Sequence, residues 1–401
     1  MKVLVANLGS TSFKYRLFDL SDPAEPVLAR GAIDRIGSGV PSHLTVRTDR
    51  GSRTDEQLVP DHAAAVELCL DQLLDPEIGV LTAAAEVNAI GFKAVHARHL
   101  SGVQLVNDAV LEAMEAYADV APAHNPPYTR AMRLLRERFP TLPLVAAFET
   151  GFHLSIPERS RRYAIPEDWA NLGIVRHGFH GASHRYIAGR IARLIGRENL
   201  KVISCHLGGS SSLCAIRDGK SVACSLGFSP QTGLPHNNRT GDFDPFALPV
   251  LLRETGLSLE AILEVLANRS GLLGISGGLN DLRDIESEAA AGNPRAQLAL
   301  DVFITAIRHY LGAYLVELGG ADVIVFTGGI GENSHRIRSG VCADLAWAGI
   351  ALDQDRSASA QGEAVVSAPD SRTAIWIVPT NEELVVARQA RDLLAGVVRG
   401  G

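Results

Sequence analysis

Three turns rich in glycine or serine each follow a short apolar run, an arrangement that lets backbone N–H groups approach phosphate oxygens closely. They are Asn7-Leu8-Gly9-Ser10-Thr11-Ser12 after Lys2 to Ala6, His206-Leu207-Gly208-Gly209-Ser210-Ser211-Ser212 after Lys201 to Cys205, and Gly328-Gly329-Ile330-Gly331-Glu332-Asn333-Ser334 after Val323 to Thr327. The first two lead directly into further strand-like runs, Phe13 to Phe18 and Leu213 to Ile216. A P-loop or a dinucleotide fingerprint needs a helix there, so these turns would hold phosphate as hairpins. The third precedes helix-like sequence, a natural place for a nucleotide. Ser334 stands where a dinucleotide fingerprint needs its last glycine. Gly219-Lys220-Ser221 is not a Walker A motif, because Cys214 occupies the first glycine position and a strand follows, so it reads as an ordinary turn.

Cations and carboxylates suited to phosphoryl transfer lie elsewhere. Histidines cluster at His96, His99 and His124, and again in His177-Gly178-Phe179-His180-Gly181-Ala182-Ser183-His184. Three readings stay open for them: structural histidines, a charge-stabilising role at His180, and a zinc site, which lacks an HExxH pair on one helical face. Arg239 lies in the polar stretch Pro235-His236-Asn237-Asn238-Arg239-Thr240-Gly241-Asp242. It is either a solvated side chain or the planar cation that transferring phosphoryl oxygens require. Glu382 and Glu383 follow the apolar run Ile375 to Val378, and Glu149 follows Leu144 to Ala147. Acids at such ends are helix-start residues or ligands of a nucleotide's magnesium.

Apolar strands recur beside longer amphipathic stretches, which gives an α/β class. The two strand, Leu-Gly, serine-turn, strand units suggest a duplicated domain, with a cleft between the copies. Helical periodicity covers Asp61 to Leu74, Pro127 to Arg138, Ser183 to Leu194 and Pro294 to Leu318, and Asn125 before Pro126-Pro127 reads as a capped helix start. The polar segment from about Gly37 to Gln57 reads as a loop or hairpin excursion, and no long linker divides the chain.

The 401 residues carry 46% apolar side chains and a formal net charge of −7, enough for a large core and without general attraction to nucleic acid or anionic membranes. The five cysteines form no CxxC pair, as expected for reduced, mostly buried thiols of a cytoplasmic protein. No apolar stretch approaches the roughly 18 residues of a membrane span, and the short apolar start is not a signal segment.

Taken together, these segments resemble the acetate and propionate kinase family, part of the acetate and sugar kinase, Hsp70 and actin superfamily. The similarity runs nearly end to end through Asn7 to Lys14, Ala121 to Pro127, Val175 to His184, His206 to Ser212, Ser270 to Asp284, Phe326 to Ser334 and Pro379 to Leu384. It implies duplicated ribonuclease H-like, actin-like ATPase domains, 1–148 with about 385–401 and 149–384, and a homodimer. It implies ATP as donor and Mg2+, with Mn2+ able to replace it, placed by Asn7 and Glu382. Ser10, Ser12, Lys14 and the turn His206, Leu207, Gly208, Gly209, Ser210 would handle phosphates, while Asp281, Leu282, Arg283 and Gly329, Ile330, Gly331, Glu332, Asn333 border adenosine. His180 and Arg239 stabilise the transferring group with His124 nearby, and Val95, Ala123, Phe179 and Pro230 line the acyl pocket.

The chain departs from the family's pattern at the reacting centre. Phe92-Lys93 replaces His-Arg, so a lysine without the bidentate fork meets the substrate; Glu149 replaces an aspartate, Gly209 an asparagine, and His236-Asn237-Asn238-Arg239 stands for Met-Gly-Thr-Arg. A carboxylic acid is already ionised at neutral pH and needs no general base, so Glu149 is read as a metal or positioning residue. The expected reaction converts ATP and acetate, or another short-chain acid, to ADP and an acyl phosphate by in-line transfer. Ala123, where leucine is common, points to propionate or longer acids. Two alternatives stand: a catalytically altered nucleotide-binding protein, and a kinase using pyrophosphate or another donor.

Overall fold

Both early glycine-serine turns join antiparallel strand pairs, and each pair opens a mixed sheet of the same order. This computed structural model describes residues 1–118, 120–121 and 124–396. One compact unit is Met1–Leu154 with the chain from Asn381, and the other is Ser155–Thr380. Glu149 to Leu154 and Asn381 to Leu384 therefore lie in the first unit, beyond the limits 148 and 385 expected from sequence. The physical reason is continuity: Glu149 N donates to Ala94 O at 2.8 Å, and the last helix keeps its own first turn.

The first unit contains β1 (Lys2–Leu8), β2 (Ser12–Asp19), β3 (Val27–Asp34), β4 (Ser42–Thr48), β5 (Ser52–Gln57), β6 (Val87–Ala94), β7 (Val103–Leu105) and β8 (Leu144–Phe148). Their order is β5-β4-β3-β2-β1-β6-β8-β7, with β1, β6 and β8 parallel and the other pairings antiparallel. Strand β8, between β6 and the edge strand β7, is buried throughout, as a strand covered on both faces should be. Polar β5 is an exposed edge, so the excursion after Gly37 is a hairpin added to the sheet.

The second unit contains β9 (Lys201–His206), β10 (Ser212–Arg217), β11 (Lys220–Cys224), β12 (Val323–Thr327), β13 (Ala364–Val365) and β14 (Ala374–Ile377). Its order is β11-β10-β9-β12-β14-β13. Thus β3-β2-β1-β6-β8 and β11-β10-β9-β12-β14 repeat one design of three antiparallel strands followed by two parallel ones, the duplicated ribonuclease H-like, actin-like ATPase architecture. Asp218 and Gly219 take positive φ values of 50° and 74° between β10 and β11, so Gly219-Lys220-Ser221 belongs to a tight hairpin.

The expected helices form as His62–Leu73, Asn125–Arg138, Gly181–Ile195 and Pro294–Leu318. Asp61 caps the first through Ala64 N. Asn125 does not cap the second: it is helical and buried, and its Nδ2 donates to His96 O at 2.9 Å and Met114 O at 2.8 Å. Pro294–Leu318 is long and apolar enough, at 25 residues, to cross a membrane, contrary to the expectation from sequence. Its Phe303, Ile307, Leu311 and Leu318 instead pack in the second unit's core. All five cysteines are buried and free. The helix Glu382–Leu394 buries Leu384, Val385, Val386, Ala387 and Ala390 in the first unit. Gly91 of β6 makes room for it, since a Cβ there would stand 2.9 Å from Val386 Cγ1.

Candidate active site

In the first unit the acids at the start of the last helix meet the ends of β1 and β6. Asn381 caps this helix, accepting from Leu384 N at 3.2 Å, and the positive helix end favours Glu382 and Glu383 in the first turn. Their carboxylates take different partners. Lys93 Nζ donates to Glu382 Oε2 at 2.5 Å, whereas Asn7 Nδ2 donates to Glu383 Oε1 at 3.3 Å and Arg16 Nη1 lies 3.7 Å from Glu383 Oε2. Burial works against the charge on Lys93, but Glu382 and then Glu149 outweigh it, so its pKa is raised.

Glu149 is 4% exposed at the end of β8. Tyr128, which sequence reasoning missed, sits amid the same charges. Burial raises its pKa, Lys93 opposes this, and Glu149 and Glu382 reinforce it, while its hydroxyl accepts from Leu8 N at 3.3 Å. Its only sequence signal is a tyrosine in the first turn of the helix after His124. His124 is half-buried and its carbonyl accepts from Tyr128 N at 3.2 Å; Val95 is half-buried, and Ala123 lies outside the described residues.

The first glycine-serine turn is closed by Gly9 N donating to Ser12 O at 2.9 Å, and His62 Nε2 lies 3.0 Å from Gly9 O. Ser10 is exposed in this turn, and Lys14 projects from β2 with no ion pair among the described residues.

In the second unit the glycine-serine turn after β9 and the third glycine turn are locked together. Leu207 N donates to Thr327 O at 2.8 Å, and Leu207 O accepts from Ile330 N at 2.9 Å and Gly331 N at 3.1 Å. Gly328, with φ of 77°, is required there, because a Cβ would stand 2.6 Å from Leu207 O. Gly329 to Asn333 form the short helix Gly328–Asn333, where burial raises the Glu332 pKa. Asp281 caps the helix Leu282–Ala290 through Arg283 N at 2.9 Å and pairs with exposed Arg283 at 2.6 Å. That helix reaches the third turn through Glu286, whose Oε1 accepts from Ser334 Oγ at 2.5 Å. Leu282 is a core residue, 5% exposed, so its contribution is packing.

Arg239 lies against the glycine-serine turn that follows β9. Its Nη1 donates to Ser210 Oγ and to Pro230 O, each at 3.2 Å; burial lowers its pKa, though a guanidinium remains charged. His236 is fully buried beside it, and its Nδ1 accepts from Ser211 N at 2.9 Å. Burial first, then Arg239, push its pKa down to about 3, so it is a neutral acceptor. Asn237 N donates to Gly209 O at 3.1 Å, and a Cβ on Gly209 would stand 3.5 Å from Asn237 Nδ2. The Asn237 carboxamide thus lies over Gly209; these are the two positions at which the sequence reading expects a glycine and an asparagine to have been replaced.

His180 starts the helix Gly181–Ile195 with φ of 55°, a left-handed conformation that costs a non-glycine residue roughly 1–2 kcal/mol. Its Nδ1 lies 2.7 Å from Ser212 Oγ, which lies 2.9 Å from His184 Nε2, and His184 Nδ1 lies 2.9 Å from Ser204 Oγ. The His206 ring centroid is 4.4 Å from that of His180, and its Nδ1 is 2.8 Å from Ser183 Oγ. Serines on β9, β10 and the helix thus orient three histidines, a set of partners that sequence reasoning did not identify. Among the described residues, no group of three or more His, Cys, Asp or Glu is arranged to hold a metal. Phe179 is buried beside this network.

The model of the Acetokinase family matches residues 2–388. An acetate kinase of Halothermothrix orenii is 42% identical over 399 residues, covering 98% of this chain and 100% of the relative. A Geobacillus kaustophilus acetate kinase is 40% identical over 396 residues, covering 98% and 99%. The crystal structure of Porphyromonas gingivalis acetate kinase superposes with a TM-score of 0.89 at 37% identity, covering 98% of this chain and 99% of that one. A Francisella tularensis propionate kinase gives 0.87 at 31%, covering 97% and 98%.

Proposed function

We propose a set of residue roles for this chain, which belongs to the acetokinase family and is a phosphotransferase of the acetate kinase type, with a carboxyl group as acceptor and ATP as donor. Arg239 supplies the planar cation that meets the transferring phosphoryl group, with His180 as a second stabilising donor. The observation that carries this reading is Arg239 held 3.2 Å from Ser210 Oγ on the phosphate turn. Within the turn Leu207 to Ser210 the backbone N–H groups of Gly209 and Ser210 are assigned to the phosphates, since Leu207 N is bonded to Thr327 O and Gly208 N to Ser211 Oγ, and Gly329 to Asn333 with Asp281 and Arg283 border the nucleoside. Lys93 is assigned to the acid's carboxylate, Val95, Phe179 and Pro230 to its acyl chain, and Lys14, Ser10 and Ser12 to the phosphates. Glu149 and His124 position these groups without accepting a proton.

Asn7 and Glu382, with Glu383 beside them, provide the hard oxygen donors that suit Mg2+ or Mn2+. The fit rests on an observation: Glu382 already holds a cation, the Lys93 ammonium. A divalent ion there would neutralise phosphate charge. Around it, this chain's residues bind, orient and keep the acceptor anion in line. The enzyme works in the cytoplasm as a homodimer, a reading supported by its five buried free thiols and by the exposed apolar Phe243, Phe246, Val250, Leu257 and Leu263 beside a helix, Leu248–Thr255, with no buried residue.

The test is hydroxamate formation by the purified protein with ATP and Mg2+, offering formate, acetate, propionate and butyrate in parallel. Signal abolished by Arg239→Ala supports the assignment, and the ranking of acids reads the acyl pocket. ATP binding without signal from any acid would instead favour a catalytically altered protein, with Lys93 occupying Glu382 as its structural mark.

A further inference from the structure

One face of the first unit's sheet carries cations in a row. In the strand register Arg16 stands opposite Arg30, and Arg30 opposite Arg47, with Val5 and Ser52 ending the row. The neighbouring row on that face runs Asn7, Lys14, Ala32, Thr45, Thr54. Directly opposed residues hold their Cβ atoms about 4.5–5.5 Å apart, where like charges repel. The two rows and Glu383 line a concavity of about 410 Å3, within the range of roughly 300–1,000 Å3 typical of small-molecule sites.

Lys14, Arg30 and Arg47 are exposed, and among the described residues no carboxylate pairs with them. Arg16 leans on Glu383 at 3.7 Å, and Arg53 at the rim is held by Asp55 and Asp75. The nearest acids on the same face, Asp34 and Glu56, lie in the row beyond Lys14, and Glu56 is engaged by His43 at 2.7 Å. The bland explanation is that charges protect a sheet edge from pairing. It covers β5, but the opposed arginines are on β2, β3 and β4, inside the sheet. In a chain of net charge −7 these cations stand out.

We propose that this face binds a polyphosphate group, with Arg30 and Arg47 taking successive phosphoryl oxygens through their forks and Ser52 and Thr54 donating hydroxyls. Arg30 and Arg47 lie two and three strand spacings from β1, roughly 10 and 14 Å, so the site is separate from Asn7 at its margin. Inorganic polyphosphate and the phosphate chain of a nucleotide share this chemistry. The proposal does not depend on the residue roles assigned to phosphoryl transfer.

The experiment is calorimetric titration of the full chain with inorganic tripolyphosphate and, separately, with ATP, comparing the natural protein, Arg30→Gln/Arg47→Gln and Arg239→Ala. The expected result is a tripolyphosphate component that weakens at least about tenfold in the double variant and persists in Arg239→Ala. The same component in the ATP titration identifies a nucleotide as the source, and its confinement to tripolyphosphate identifies the inorganic anion. Unchanged affinity and stoichiometry in the double variant overturn the site. Thermal unfolding checks folding independently: tripolyphosphate should raise the natural protein's Tm by several degrees more than the variant's, and equal shifts would also overturn it. Hydroxamate formation retained by the double variant separates a failure here from a failure of the reaction.

Discussion

The Lys93 ammonium lies 2.5 Å from Glu382 Oε2, so the proposed substrate cation and the proposed metal carboxylate neutralise each other in the first unit. The pKa of Lys93 is raised, so its charge persists through the working pH range; any stabilisation it gives is full below the unfolded lysine pKa and fades only in strong alkali.

Removing this lysine should therefore separate metal affinity from turnover. In Lys93→Met the Glu382 carboxylate loses its internal cation, and Mn2+ binding followed by electron paramagnetic resonance should tighten roughly tenfold, about 1.4 kcal/mol. Turnover should fall at least about 100-fold, with Lys93→Arg retaining much of it. Mn2+ affinity unchanged in Lys93→Met would show that Glu382 is not a metal ligand.

Acid should weaken the fold through His236 and His177. Burial pushes them down to about 3 and about 4, so both stay neutral at pH values where the unfolded chain, with histidine near 6.5, takes up protons. The unfolded state then binds more protons, and stability falls as pH drops below about 6.5. At pH 5 His236 alone accounts for about 2 kcal/mol, and half-buried His177 for less. Calorimetry between pH 7.5 and 5 should show Tm falling by several degrees, and His236→Gln should flatten that slope. An equally steep slope in the variant would exclude His236 as the source.

A helix with no buried residue asks for a partner. Leu248–Thr255 follows Phe246, which is 84% exposed, and Leu257 and Leu263 continue the apolar surface. Light scattering should give twice the chain mass for the natural protein and one chain mass for Phe246→Asp/Val250→Asp. A single chain mass for the natural protein would remove the dimer.

Local chemistry made much of this legible in sequence. The Gly219 hairpin, the helix from Pro294 to Leu318 and the two Leu-Gly serine turns all carry their signals within a few residues. The site's pairings do not. Lys93 meets Glu382 across 289 positions, Ser212 bridges two histidines from a different strand, and Tyr128 reads as an ordinary helix residue until burial brings it among charges.

The departure at Gly209 is the one the structure most changes. Read alone, it removes a carboxamide from the phosphate turn. In the fold the Asn237 carboxamide lies over Gly209, its Nδ2 3.5 Å from where a Cβ would be, and its buried Oδ1 has no hydrogen-bond partner among the described residues. A buried amide oxygen left without a donor costs about 1–3 kcal/mol, which a ligand's donor would offset. The two positions thus exchange glycine and carboxamide, and they should be coupled. Gly209→Asn alone crowds the amide, and Asn237→Gly alone removes it, so each should lower kcat/KM for ATP about tenfold. The double variant Gly209→Asn/Asn237→Gly should return to within about threefold of the natural protein, a coupling of about 2 kcal/mol in a double-mutant cycle. Additive losses would mean that Asn237 only closes the loop through its backbone bond to Gly209 O, and that the carboxamide itself plays no part.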